Sequence, residues 1–138
     1  MTLDPSSRSA PGESDLAVLV RSMQPTLDPG EWFFGTVEPG TAVEAAATVL
    51  EPEGLSVVVH RVEAERIGIA TTHAYRWITL RVHSSLEAVG LTAAVSTALA
   101  ERGISCNVVA GAFHDHLLIP ASRADDAMRA LQLLSSST

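Results

Sequence analysis

The chain contains no lysine; all nine of its basic residues are arginine. Schiff-base chemistry on a lysine amine and the phosphate-binding lysine of a P-loop are therefore closed to it. Its single cysteine, Cys106, has no partner for an internal disulfide, in agreement with a reducing compartment. Aromatic residues are few, at 4%, and Trp32, Phe33 and Phe34 stand together. No apolar run approaches the ~18 residues of a membrane helix. The start, Met1-Thr2-Leu3-Asp4-Pro5, lacks the basic cluster and apolar run of a secretory signal. A cytoplasmic protein without a membrane partner is the expectation.

What is present is apolar and acidic. Hydrophobic residues make up 46% of 138 residues against 18% charged, enough for a folded body of one ordinary domain or two small ones sharing a core. The net charge of −7 sits in residues 1–74, which hold eleven acids and four arginines, while 75–138 hold five of each. An acidic first half and the lack of any arginine cluster argue against a nucleic-acid partner.

Residues 1–14 mix Ser, Pro, Gly and lone charges without periodicity and read as a flexible tail. Leu16–Val20 reads as a buried strand, a helical turn of the same length being the alternative. Met23–Gly30, with two prolines and a glycine, reads as a connection, and Trp32–Val37 as a strand. Thr41 and Glu44 have capping-box spacing ahead of a helix over 42–50. Leu55–His60 is a further strand, followed by a short helix at 62–67 closed by Gly68.

The second half has clearer periodicity. Trp77, Thr79 and Arg81 alternate with Ile78, Leu80 and Val82, as in a strand with one apolar face. Leu91, Ala94, Val95, Ala98 and Leu99 form a helical stripe, and Gly103 ends that helix. Strands follow at 104–110 and 116–119. Ser122 and Asp125 have capping spacing before a final amphipathic helix. The order from residue 76 is β-α-β-β-α, an α+β arrangement of ferredoxin-like type that lacks one strand. Leu16–Val20 is the expected donor of that strand. The expected division is a tail at 1–14, a degenerate half at 15–74 and a main module at 75–138.

The run Val82-His83-Ser84-Ser85-Leu86-Glu87-Ala88-Val89-Gly90-Leu91, the helix after it and Gly103–Val109 resemble an ACT domain. The likeness is to small ACT-domain-containing proteins with this Ser-Ser-Leu-Glu-Ala-Val-Gly run and a downstream His-Asp-His. It covers residues 76–134, and residues 16–68 resemble the degenerate leading half of such proteins. The resemblance implies antiparallel sheets with helices on one face, an amino acid or similar small effector as ligand, and pairing with a second module as a homodimer. It implies no cofactor and no catalysis, and any regulated enzyme would be a separate, unidentified partner. Carried onto this chain, the ligand-binding residues are Ser84, Ser85, Leu86, Glu87, Ala88, Val89 and Gly90 with Ser105, Cys106, Asn107 and Val108.

The residues support parts of this independently. Free N–H groups at a helix start attract carboxylates, Glu87 can receive an ammonium or guanidinium group, and Asn107 both donates and accepts. Ser84 and Glu87 also have the spacing of a plain capping box, and Gly90 serves either ligand access or close helix packing. Cys106 reads as a small buried apolar residue. His114-Asp115-His116 contains metal-ligand residue types but no matching partner spacing, and reads as a polar hairpin corner. Two alternatives to the sensing module stay open: an interaction module with no ligand, and a metal-dependent enzyme built on His83, His114 and His116.

Overall fold

The computed structural model describes residues 12–138. Its longest strand, β1 (Pro25–Val37), carries the aromatic run Trp32–Phe34 that favours a pleated surface. Around it lie β2 (Ala47–Glu51), β3 (Gly54–His60), β4 (Tyr75–Leu80), β5 (Asn107–Ala110) and β6 (Asp115–Pro120). The helices are α1 (Leu16–Arg21), α2 (Arg61–Ile67), α3 (Leu91–Ala100) and α4 (Ala124–Ser136). All six strands form one antiparallel sheet in the order β2-β3-β1-β4-β6-β5.

Strand β1 changes partner along its length. Trp32–Val37 pairs with His60–Leu55 of β3, and Pro25–Leu27 pairs with Leu80–Ile78 of β4. Between them the register shifts at Asp28-Pro29-Gly30, where the Gly30 N–H donates to Asp28 Oδ1 at 2.8 Å and Arg76 Nη2 donates to the Asp28 carbonyl at 2.9 Å. The turn-forming residues expected to make 23–30 a connection therefore only bulge the strand, because its flanks are held by ladders.

The strand that completes the second half is thus Pro25–Leu27, and the assignment of Leu16–Val20 to that role is overturned. Residues 16–21 are helical: Asp15 Oδ1 accepts the Val18 N–H at 3.1 Å as an N-cap. Leu19, Val20 and Met23 are buried with Val95 and Leu99 of α3 and Leu131 of α4. A run of five apolar residues fits strand or helix alike, and the cap together with the helical neighbours decides it.

The helix expected over 42–50 is also absent. The Glu44 N–H donates to Glu63 Oε2 at 2.5 Å, Thr41 Oγ1 donates to the Glu38 carbonyl at 2.6 Å, and the chain enters β2, paired with β3 from Ala47↔Val58 to Glu51↔Gly54. Alanine's helical advantage is under about 1 kcal/mol per residue, and hairpin pairing overrides it. The Ser122–Asp125 box does not form either, since α4 grows out of a 3₁₀ turn at Ala121–Arg123.

The helices cover one face. Phe33, Val57 and Val59 pack on Ala64 of α2, while Ile78, Leu80, Leu117 and Ile119 lie under α1, α3 and α4. On the other face Trp32, Val58 and Leu118 are buried although, among the described residues, no helix covers them. One groove on that face is lined by residues of both edge strands, Ala47–Val49 of β2 and Asn107–Val109 of β5, which makes this face concave. Of the expected tail, residues 1–11 lie outside the described residues. Glu13, by contrast, is tied down, its N–H donating to the His83 carbonyl at 2.8 Å and its carbonyl accepting the Ser85 N–H at 3.0 Å. Among the described residues no helix is long and apolar enough to cross a membrane.

Leu19 is fully buried and Leu16 is 41% exposed. Leu19→Ala is expected to cost about 2–5 kcal/mol in urea unfolding and Leu16→Ala far less. Equal, small losses would contradict the docking of α1 in the core.

Candidate functional site

Strand β4 delivers the chain to Arg81, whose N–H donates to the Met23 carbonyl at 2.7 Å, and the next residues turn along the end of the β5–β6 hairpin. Ser84 is 92% buried by its 8% exposure, and its Oγ donates to Asp115 Oδ2 at 3.3 Å. Ser85 organises the turn that follows: its Oγ accepts the Glu87 N–H at 3.1 Å and its carbonyl accepts the Ala88 N–H at 3.0 Å.

Helix α3 starts only after Gly90, which has φ +108°, a backbone conformation that side chains of L-residues resist. A Cβ at Gly90 would also come within 3.0 Å of Leu16 Cδ2. This left-handed N-cap stops the helix from reaching back to Ser84, so the Ser84–Glu87 capping box is not formed. The first intrahelical bond runs from the Ala94 N–H to the Gly90 carbonyl at 2.8 Å, and among the described residues no side chain caps α3. The amides of Leu91, Thr92 and Ala93 thus precede the helical ladder, at the positive end of the helix dipole.

A cavity of about 180 Å³ lies between this loop and the hairpin. From the loop Ser84, Ser85, Leu86, Ala88 and Gly90 line it, and Leu91 and Thr92 close its helix side. Ala110 and Asp115 face them. Glu87 and Val89 are exposed and are not part of the lining.

The second expected segment lies elsewhere. Cys106, Asn107 and Val108 line a groove of about 610 Å³ on the concave face, together with Phe34 and residues of β2 and β3. Ser105 is exposed and lines neither. The structure therefore divides the two segments between two cavities, and the residues it sets against the loop are Ala110 and Asp115. Asp115 stood in the His-Asp-His run, where its acidity between two histidines marked it as notable but pointed toward a turn or a metal. Burial pushes the Cys106 thiol above its ordinary pKa, in keeping with a packing role.

The histidines diverge. His114 Nδ1 donates to the Val82 carbonyl at 3.2 Å, His83 stacks on Phe113 with centroids 5.1 Å apart, and His116 points to the concave face. No group of three His, Cys, Asp or Glu residues able to hold a metal ion occurs among the described residues. His116 Nδ1 accepts from Trp77 Nε1 at 3.2 Å and lies 2.9 Å from Thr79 Oγ1. An acceptor Nδ1 requires the neutral ring with its proton on Nε2. The pKa of His116 is held below its ordinary value by burial first, then by His114; Asp115 opposes the shift and Arg81 adds to it.

Two family models, each described as an ACT domain, match residues 11–76 and 72–132. The chain belongs to the ACT-domain proteins. A Vibrio cholerae protein of unknown function, described as a possible transport protein, is 46% identical, with 84% of this ACT-domain chain and 92% of that chain covered and a TM-score of 0.76. The regulatory subunit of aspartate kinase from Thermus thermophilus, in ligand-free form, shares the fold at 15% identity, with 82% and 97% covered and a TM-score of 0.60. Aspartokinase alpha and beta subunits do so at 17% identity, with 80% and 95% covered and a TM-score of 0.58. No curated protein matches the chain.

Because the folded pKa of His116 lies below the unfolded one, its contribution to stability is fully present above about pH 6.5 and is lost as pH falls through the folded value. Imidazole NMR is expected to find the Nε2–H tautomer and a titration below about 6.5. A titration at or above that value would contradict the burial of the ring.

Proposed function

We propose that this protein is a non-enzymatic, cytoplasmic ACT module that binds a free amino acid beside the Ser84–Gly90 loop. The carrying observation is the pairing of two opposite polarities across one small cavity: the uncapped start of α3 on one side and Asp115 on the other. A zwitterion matches both. Its carboxylate takes the amides at the helix start, and its ammonium group takes the Asp115 carboxylate through charge-assisted hydrogen bonds. The volume of about 180 Å³ is below the ~300–1,000 Å³ of pockets for drug-sized ligands and suits a single small molecule. Family membership supports the same reading, and so does the engagement of His83, His114 and His116 with separate neighbours. The effector then acts on an enzyme carried by another chain.

A second reading, a homodimerising interaction module with no ligand, draws on one feature. Val49 and Leu50 of the edge strand β2 are 60% and 71% exposed, and Phe34 of β1, two strands in, is 44% exposed. Light scattering that finds a dimer, combined with a ligand screen that finds nothing, favours it.

Calorimetric titration with the free amino acids tests the first reading. One of them is expected to bind and, at about 100 times its Kd, to stabilise the protein by about 2.7 kcal/mol. Asp115→Asn should weaken that ligand by about tenfold or more, the worth of a hydrogen bond to a charged group. A full set without heat or thermal shift overturns the proposal.

A further inference from the structure

Both ends of the Ser84–Gly90 loop rest on one short stretch of chain that is about seventy residues away in sequence. At the first end, Glu13 forms a parallel bridge with Ser84, its N–H donating to the His83 carbonyl at 2.8 Å and its carbonyl accepting the Ser85 N–H at 3.0 Å. Gly12 lies flat against the same peptide: a Cβ there would stand 2.5 Å from the Ser84 carbonyl carbon and 2.6 Å from the Ser85 nitrogen. No side chain fits without driving the two backbones apart. At the other end the Leu16 side chain fills the space beside Gly90. Between these points Glu13 Oε1 accepts the N–H groups of Ser14 and Asp15, both at 2.9 Å, and Asp15 caps α1, so the stretch is internally braced and anchored to the core through Leu19.

We infer that residues 12–16 are the positioning element of the ligand loop, a strap that holds Ser84, Ser85 and Gly90 in the conformation that accepts the amino acid. The inference rests on the reading of the site given above. Ser84 is clamped from two sides, its backbone by the strap and its hydroxyl by Asp115. The turn beyond it is built on Ser85, which supplies the acceptors for Glu87 and Ala88. Releasing the strap therefore loosens the entire lining contributed by the loop, while α3 and the sheet keep their own ladders. The amino acid and the strap favour the same loop conformation, so each strengthens the other.

The test uses the full chain with two substitutions, Gly12→Val at the bridge and Leu16→Ala at Gly90, neither of which lines the cavity. Amide exchange is followed without ligand, and affinity is measured by calorimetry well below the melting temperature. Gly12→Val should expose the amides of Ser85, Glu87 and Ala88 while those of α3 and β4 stay protected, and both variants should bind the amino acid more weakly, within about 5- to 150-fold. Bound amino acid should in turn slow exchange at Glu13 and Ser85 in the unsubstituted protein. Unchanged loop exchange in Gly12→Val overturns the strap, as does unchanged affinity in both variants when the unsubstituted protein binds. If that protein binds no amino acid, the reading of the site fails, and loss of loop protection in Gly12→Val still upholds the strap as the element that orders the loop.

Discussion

At Trp32 the central strand is paired on both sides, to His60 of β3 and to Tyr75 of β4. On one side of this point β1 belongs to the first half of the chain, and on the other side, through Pro25–Leu27, to the second. The rest of the molecule follows from that double pairing. It makes a single sheet of two halves and brings β2 and β5 to the outer edges. It also brings Met23, just ahead of β1, to the end of β4, where its carbonyl receives Arg81 and launches the chain toward the Ser84 loop. The indole ring of Trp32 lies 3.5 Å from His60 and 5.1 Å from Trp77, centroid to centroid, and fills the concave face at the seam between the halves.

The second half was legible because its residues obey one period at a time. Ile78 and Leu80 alternate with Trp77 and Thr79, Leu91 to Leu99 repeat at helical spacing, and Gly103 closes the helix in a left-handed conformation. The first half is where local preference and tertiary pairing disagree. Ala42–Leu50 favours a helix and Leu16–Val20 reads equally well as a strand, yet the free edge of β3 recruits residues 47–50 of the former into β2 and the core beneath α3 and α4 recruits the latter as α1. Such outcomes depend on partners distant in sequence, which periodicity does not contain.

The candidate site divides in the same way. The loop was visible as a motif, but the structure sets two of the expected residues away from the cavity beside it. Glu87 faces solvent because the turn at Ser85 replaces the first turn of a helix, a consequence of the left-handed Gly90. Asn107 faces the concave groove, because alternation along β5 directs it away from the helices, and Asp115 takes the place opposite the loop. One residue thus links two environments: Asp115 holds Ser84 on the loop side and, by charge, acts on its neighbour His116 on the concave side.

The two edge strands carry a consequence for the molecule in bulk. Among the described residues strands β2 and β5 each have one unpaired backbone edge, and of their nine side chains only Glu51 is charged, with no lysine, arginine or proline to deter a further strand. Repulsion between molecules then comes from the net charge of −7 as a whole and not from the edges themselves. Near the isoelectric point of about 5.1 that repulsion vanishes while the edges remain adhesive. The colloidal behaviour of this protein in mildly acidic solution is therefore set by eight uncharged residues at the rims of its sheet.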